Sequence, residues 1–274
     1  MLRDTAIAPR HPTAKKAATN TMKLGTMLPK PPQRAASRYW EIDAARGLAV
    51  ILMVYFHLMW NLYYFGVSQV NVFIAGWQGF ARGIGSAFML LLGLSLAIRR
   101  EKVTGELVPY LRRAAQIFGC GLLVTAVTFV AMPQEYIVFG ILHLQGVALL
   151  IAYASARLPA WANVLAGVVA VAIGAAVANV FSPDPWLIPF GVQQYDRAMA
   201  DYYPLFPWLA PALFGVAAGK LFYPGGQRSF ALPELGGAAP LRWLRFLGRH
   251  SLIIYLLHQP LIFAALALLG LGSL

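Results

Sequence analysis

Charge is the first shortage in this sequence. Only 12% of the 274 residues are Asp, Glu, Lys or Arg, about half the roughly 25% share of a soluble globular domain. Mean hydropathy is +0.63, and the two together argue against a water-soluble fold. Acidic residues are scarcer still, ten against 22 basic, giving a formal charge of +12. The single cysteine, Cys120, lies inside an apolar run, so no intramolecular disulfide can form and metal sites built on paired cysteines are excluded. No duplicated hydropathy pattern is present, which disfavours an inverted-repeat transporter. The apolar runs do not alternate as barrel strands do, so they read as helices.

What is present is a series of uncharged stretches of about twenty residues, enough to cross a hydrocarbon core of roughly 30 Å. Seven spans are expected, near 42–64, 77–98, 110–131, 136–156, 161–181, 205–223 and 248–272, forming an all-α polytopic bundle. Eight basic residues precede Tyr39, five lie between Arg99 and Arg113, and five between Lys220 and Arg249. The connections between these groups hold almost none. That alternation is the positive-inside pattern, placing the N-terminus in the cytoplasm and the C-terminus outside. It assigns the basic excess to membrane orientation, not to nucleic acid. Residues 1–37, with Asp4 as their one acid and no apolar core segment, read as a disordered cytoplasmic tail and not as a signal peptide; residues 38–274 form the membrane domain. The connection 182–204, with Asp184, Asp196 and Asp201, suits either an ordered lid or a passive connector. The Gly79-x-x-x-Gly83 and Gly215-x-x-x-Gly219 spacings would let helices approach closely. Nothing in the sequence fixes the oligomeric state, and a homo-oligomer is open.

Ionisable residues inside spans are costly and mark pathways, pairs or sites. Arg46 and His57 are eleven residues apart, so at 100° per residue they share one helix face, separated by roughly 16 Å along the axis. Asp43 lies on that face one turn before Arg46, and Asn61 one turn after His57. Counted from the span ends, His57 and His143 sit at matching depth, Arg82 is slightly shallower and Gln145 close to His143. His258 lies nearer the midplane beside Pro260, which should kink its helix. For each histidine the alternative to a site role is a neutral imidazole bonded to a neighbouring helix. Arg46 could equally snorkel to the surface, Arg82 pair with a loop carboxylate, and His250 cap a helix at the interface.

The run Glu41-Ile42-Asp43-Ala44-Ala45-Arg46-Gly47-Leu48-Ala49, with His57 completing an Arg-x10-His spacing, resembles the opening of transmembrane acyltransferases. Ala87–Ser95, Phe139-Gly140-Ile141-Leu142-His143 and Gly248-Arg249-His250 through His258 are similar to the bacterial family related to heparan-alpha-glucosaminide N-acetyltransferase. The resemblance runs from residue 38 to the end. It implies transfer of an acyl group, usually acetyl, from cytoplasmic acyl-CoA to a sugar or glycan across the membrane, without a metal. The sequence departs from the lysosomal enzyme, which has Asn where His57 stands, a catalytic histidine in the loop that follows, and eleven spans.

By resemblance, Asp43 and Arg46 match the family's opening motif and His57 the histidine of the wider Arg-x10-His acyltransferases; His57, Asp43, His143 and His258 are the catalytic candidates, and Arg46 would hold the acyl-CoA. Asn61, Arg82 and Gln145 would orient the substrate or stabilise the oxyanion. His57 would take the proton from the attacking hydroxyl or amine. The chain is expected in a bacterial cytoplasmic membrane. Two other readings use the same residues. A transporter or flippase component would need no covalent chemistry, and a haem protein would ligate iron through His57 and His143.

Overall fold

Inside a bilayer the backbone must satisfy its own polar groups, so each long apolar run closes into a helix. The computed structural model describes Met1 and residues 39–102, 106–194, 199–233 and 235–271. Residues 2–37 of the expected tail lie outside them, as do Asp196 and the end of the last expected span. The helices are α1 (Trp40–Tyr64), α2 (Ala75–Lys102), α3 (Val108–Ala131), α4 (Ile141–Ser155), α5 (Ala160–Val177), α6 (Leu205–Trp208), α7 (Ala210–Phe222), α8 (Ala239–Arg249) and α9 (Ser251–Leu268). Six stretches among the described residues are long and apolar enough to cross a membrane: α1, α2, α3, α5, Leu205–Phe222 and α9.

Two of the expected spans take a different form. The stretch 136–156 becomes α4, which has only 15 residues and begins at Ile141. Its preceding residues stay non-helical, with Pro133 just after the end of α3 and Gly140 extended as the N-cap. The stretch 248–272 does not start as one helix: the backbone leaves helical geometry at His250, and Gly248 and Arg249 close the amphipathic α8. That helix alternates Arg242, Arg245 and Arg249 with Leu241, Leu244 and Leu247, and leaves Trp243 and Phe246 exposed. The α9 helix continues through Pro260 to Leu268.

Glycine decides two helix crossings. A Cβ at Gly93 would overlap the Ala212 carbonyl, and one at Gly215 the Leu90 carbonyl, so α2 and α7 touch through their backbones. Gly47 meets Leu244 and Gly248 meets the Asp43 carbonyl in the same way, fixing α1 against α8. The Gly215–Gly219 spacing therefore packs as expected. Gly79 and Gly83 have nothing within 4 Å of an added Cβ: their spacing does not form a helix contact within the chain. Around the α2–α7 seam lie Leu96, Tyr110, Ile117, Leu149, Tyr153 and Val216.

Charged groups gather the helix ends into one layer. The Arg100 guanidinium at the end of α2 donates to the Tyr153 carbonyl at the end of α4 and lies 4.2 Å above that ring. Lys102 lies 4.2 Å above Tyr39, ahead of α1. Arg228 grips Glu41 through both carboxylate oxygens at 2.9 and 3.0 Å, and Tyr223 donates to the same group at 2.9 Å. This basic end thus holds the start of α1 and the ends of α2, α4 and α7. At the far end, the connection after α5 is ordered where it is described: a 3-10 turn spans Pro185–Phe190, capped by Asp184. Its last part is stitched to the residues before α4, Ala200 N–H to the Glu135 carbonyl at 3.0 Å and Tyr203 N–H to the Phe139 carbonyl at 3.2 Å.

Candidate functional site

The polar face of α1 finds its partners on α2, α8 and α9. At the basic end Asp43 is 6% exposed, and a buried carboxylate is tolerable only when paired. Arg249 approaches it from α8 at 3.0 Å and Arg46 from its own helix at 3.4 Å. Arg46 also donates to Ser95 on α2 at 2.7 Å. Two guanidiniums around one carboxylate leave this cluster with a net positive charge.

Eleven residues further along α1, about 16 Å, His57 meets His258 of α9 edge to face with ring centroids 4.6 Å apart. The backbone around each ring sets its tautomer. His57 Nδ1 lies 2.9 Å from the Met53 carbonyl, and His258 Nδ1 2.6 Å from the Tyr255 carbonyl. A carbonyl only accepts, so both Nδ1 atoms carry the hydrogen and both Nε2 atoms keep a lone pair. The His258 Nε2 is buried with no partner. Alongside, Asn61 is fully buried and donates to Gln259 at 2.7 Å, while its own Oδ1 has no partner.

His143 is wired in the opposite sense. Its Nδ1 accepts the Gly140 N–H at 3.2 Å, capping α4, so the hydrogen sits on Nε2 facing Thr125 Oγ at 3.4 Å. The ring is 2% exposed and wedged between Phe118 and Phe139. Both nitrogens are thereby engaged by the protein itself. The haem arrangement loses its basis, because His57 faces His258 and His143 has no nitrogen to offer iron. Arg82 is exposed, near Tyr203, and Gln145 is half-buried on α4; neither joins the hydrogen-bonded groups around His57. His250 bonds the Phe246 carbonyl at 2.8 Å between α8 and α9.

Sequence reasoning counted Arg249 only within the basic 242–249 segment and missed Ser95, Tyr255, Gln259 and the role of Asp201. Asp201 Oδ2 accepts the Ile141 N–H at 3.0 Å and the Tyr255 hydroxyl at 3.4 Å, so one carboxylate ties the far-end loop to the starts of α4 and α9. The only advance signals were that Gln259 adjoins His258 and that Tyr255 precedes it by three residues.

Burial pushes the Asp201 carboxyl up from 3.8 to about 6, against the lowering pull of the Ile141 N–H. The folded state therefore holds this proton more tightly than the unfolded chain does. Asp201 favours folding most below about pH 4, and that contribution is lost as pH rises towards 6. Asp201→Asn is expected to remove this dependence. Thermal unfolding at pH 5 and pH 7.5 checks it: the variant gains relative to wild type at the higher pH, and an identical pH response in both proteins would refute the assignment.

Residues 38–260 match the family model for heparan-alpha-glucosaminide N-acetyltransferase, catalytic. The chain belongs to that family. The match runs from the residue before Tyr39 to the middle of α9, so Asp43, Arg46, His57, Asn61, His143 and His258 all fall within it. Membership in the heparan-alpha-glucosaminide N-acetyltransferase catalytic family supports a membrane acetyltransferase-like function and an acetyl-CoA-type co-substrate in general terms. No curated protein and no solved structure is detectably similar to the chain.

Proposed function

We propose that the protein transfers an acyl group, acetyl by the family's description, from acyl-CoA at the basic end to a sugar or glycan acceptor that reaches His57 from the far end. The observation that carries this reading is the pair of imidazoles with unprotonated Nε2 atoms, one pantetheine length from a cationic cluster. The positive-inside distribution supports a cytoplasmic basic end, and a bacterial cytoplasmic membrane is the setting that fits it.

Each group has a part in the reaction. Arg46 and Arg249 face the phosphates of the nucleotide; guanidinium forks suit that task. His57 Nε2 takes the proton of the attacking hydroxyl or amine as the new bond forms at the thioester carbon. The C–S bond breaks, and the same proton passes to the departing thiolate. Met53 holds His57 in the required tautomer through its carbonyl. His258 provides a second base or stabilises the charged His57. Asn61 orients Gln259, whose amide supports the developing oxyanion. His143 and Asp43 act as positioning residues.

The deciding experiment offers labelled acetyl-CoA and a panel of amino sugars and glycans to the purified protein. Arg46→Ala and Arg249→Ala are expected to raise KM for the donor by about tenfold or more, the worth of a charge-assisted hydrogen bond, with a smaller change in kcat. Absence of donor turnover in wild type would overturn the proposal and favour a transporter, which flux measurements without acyl-CoA would then reveal.

A further inference from the structure

The eleven residues of α8 rise about 16 Å, about half of a hydrocarbon core of roughly 30 Å, so this helix is not a span. It stays at the basic end: Gly248 meets the Asp43 carbonyl and Leu244 meets Gly47, both within the first eight residues of α1. At 100° per residue its side chains fall into three strips. Leu244 and Gly248 face α1. Arg242, Arg245 and Arg249 share a second strip about 60° wide. Trp243 and Phe246 adjoin it on the outward side, 69% and 51% exposed, with ring centroids 6.2 Å apart.

The arginine strip carries more positive charge than the protein around it neutralises. Three carboxylates of this end are committed: Glu41 to Arg228, Glu101 to Lys220, and Asp43 shared between Arg46 and Arg249. Residues 235–274 contain no Asp or Glu. Arg242 is exposed, and its side chain has no partner among the described residues. Arg245 donates to the Gly236 carbonyl at 2.6 Å, while its buried Nε has no partner.

We infer that α8 is a docking surface for an anionic phospholipid, which sets its headgroup phosphate on the arginine strip at Arg242 and its chains against Trp243 and Phe246. Guanidinium groups suit phosphate. A helix with arginines along one side and Trp and Phe along another belongs at the boundary between headgroups and acyl chains. A soluble anion would engage the arginines and leave both rings in water. An apolar partner would cover the rings and leave Arg242 without a counter-charge. A phospholipid satisfies both strips at once. This inference goes beyond the acyl-transfer reading and does not depend on it, since lipid binding needs no turnover.

Phosphatidylglycerol and phosphatidylcholine, each brominated on its chains, are titrated into the purified protein in a neutral detergent at low salt, and tryptophan quenching is read. Wild type is expected to bind phosphatidylglycerol at least about fivefold more tightly, the factor that one basic residue contributes at an anionic lipid surface. Arg242→Gln should weaken phosphatidylglycerol binding by about fivefold and leave phosphatidylcholine unchanged. Trp243→Phe should remove the quenching that distinguishes the two lipids. Both positions are exposed, and an unchanged thermal melt without lipid shows that the fold is intact. Equal affinity of wild type for the two lipids overturns the inference. An equal loss in Arg112→Gln, an exposed arginine of α3, also overturns it, because the attraction is then one of bulk charge. Selective quenching that persists in Trp243→Phe places the lipid elsewhere and overturns it too. Displacement of the lipid by inorganic phosphate or coenzyme A at the same concentration assigns the arginines to a soluble anion, with the same consequence.

Discussion

Replacing His57 with alanine is expected to lower acyl transfer by about 10²- to 10⁴-fold, the usual contribution of a general base. Donor binding should survive, because Arg46 lies about 16 Å away along α1, in the cluster with Asp43 and Arg249. Single-turnover transfer of labelled acyl-CoA, with donor affinity measured separately, distinguishes these effects. The side chain is only half-buried and bonds to its own helix, so the fold should tolerate the change. His143→Ala forms the contrast. That substitution removes the Gly140 cap and the contact with Thr125, and its first effect should fall on the melting temperature. A His57→Ala protein with full transfer activity would remove the central assignment.

The second large effect is expected where α1 crosses α8. Gly47→Val and Gly248→Val each force a side chain into a facing carbonyl, Leu244 in the first case and Asp43 in the second. Overpacking of this kind costs about 1–3 kcal/mol and sometimes more. The only relief is to separate the helices, which breaks the Arg249–Asp43 pair at 3.0 Å and leaves a buried carboxylate short of one partner. Both stability and donor affinity should fall together. Gly79→Val is the control: nothing lies within 4 Å of that position, and its stability should stay within about 0.5 kcal/mol of wild type. Thermal unfolding of the three variants in one detergent tests the contrast, and equal losses in all three would refute it.

Much of α1 was legible in the sequence, because a period of 3.6 residues and the cost of charge in a bilayer together single out Asp43, Arg46, His57 and Asn61. Their partners were not legible. Ser95, Arg249 and Gln259 reach that face only after distant helices pack, and no local pattern encodes such a meeting. Depth counting placed His57 and His143 level, yet it could not show which ring nitrogen carries the hydrogen. That depends on whether a backbone carbonyl or a backbone N–H faces Nδ1, and so on the local fold at Met53 and Gly140. Hydropathy also could not separate α4 from the extended residues before it, since both are apolar. The two glycine spacings looked alike in sequence; only the direction each faces separates the packed pair from the open one.

The shortness of α4 bears on how the far end is closed. Fifteen residues rise about 22 Å, some 8 Å short of a hydrocarbon core of roughly 30 Å, and the deficit falls at the end where Asp201 and Tyr255 meet. Residues 132–140 and 199–204 make up the difference with irregular backbone, bonded to each other through Glu135 and Phe139, while Asp201 accepts from Ile141 at the start of α4. Irregular backbone is stable at that depth only when protein or water covers it. The far-end loop is thus sealed onto the bundle, one carboxylate joining it to Ile141 and to Tyr255, a single turn from His258.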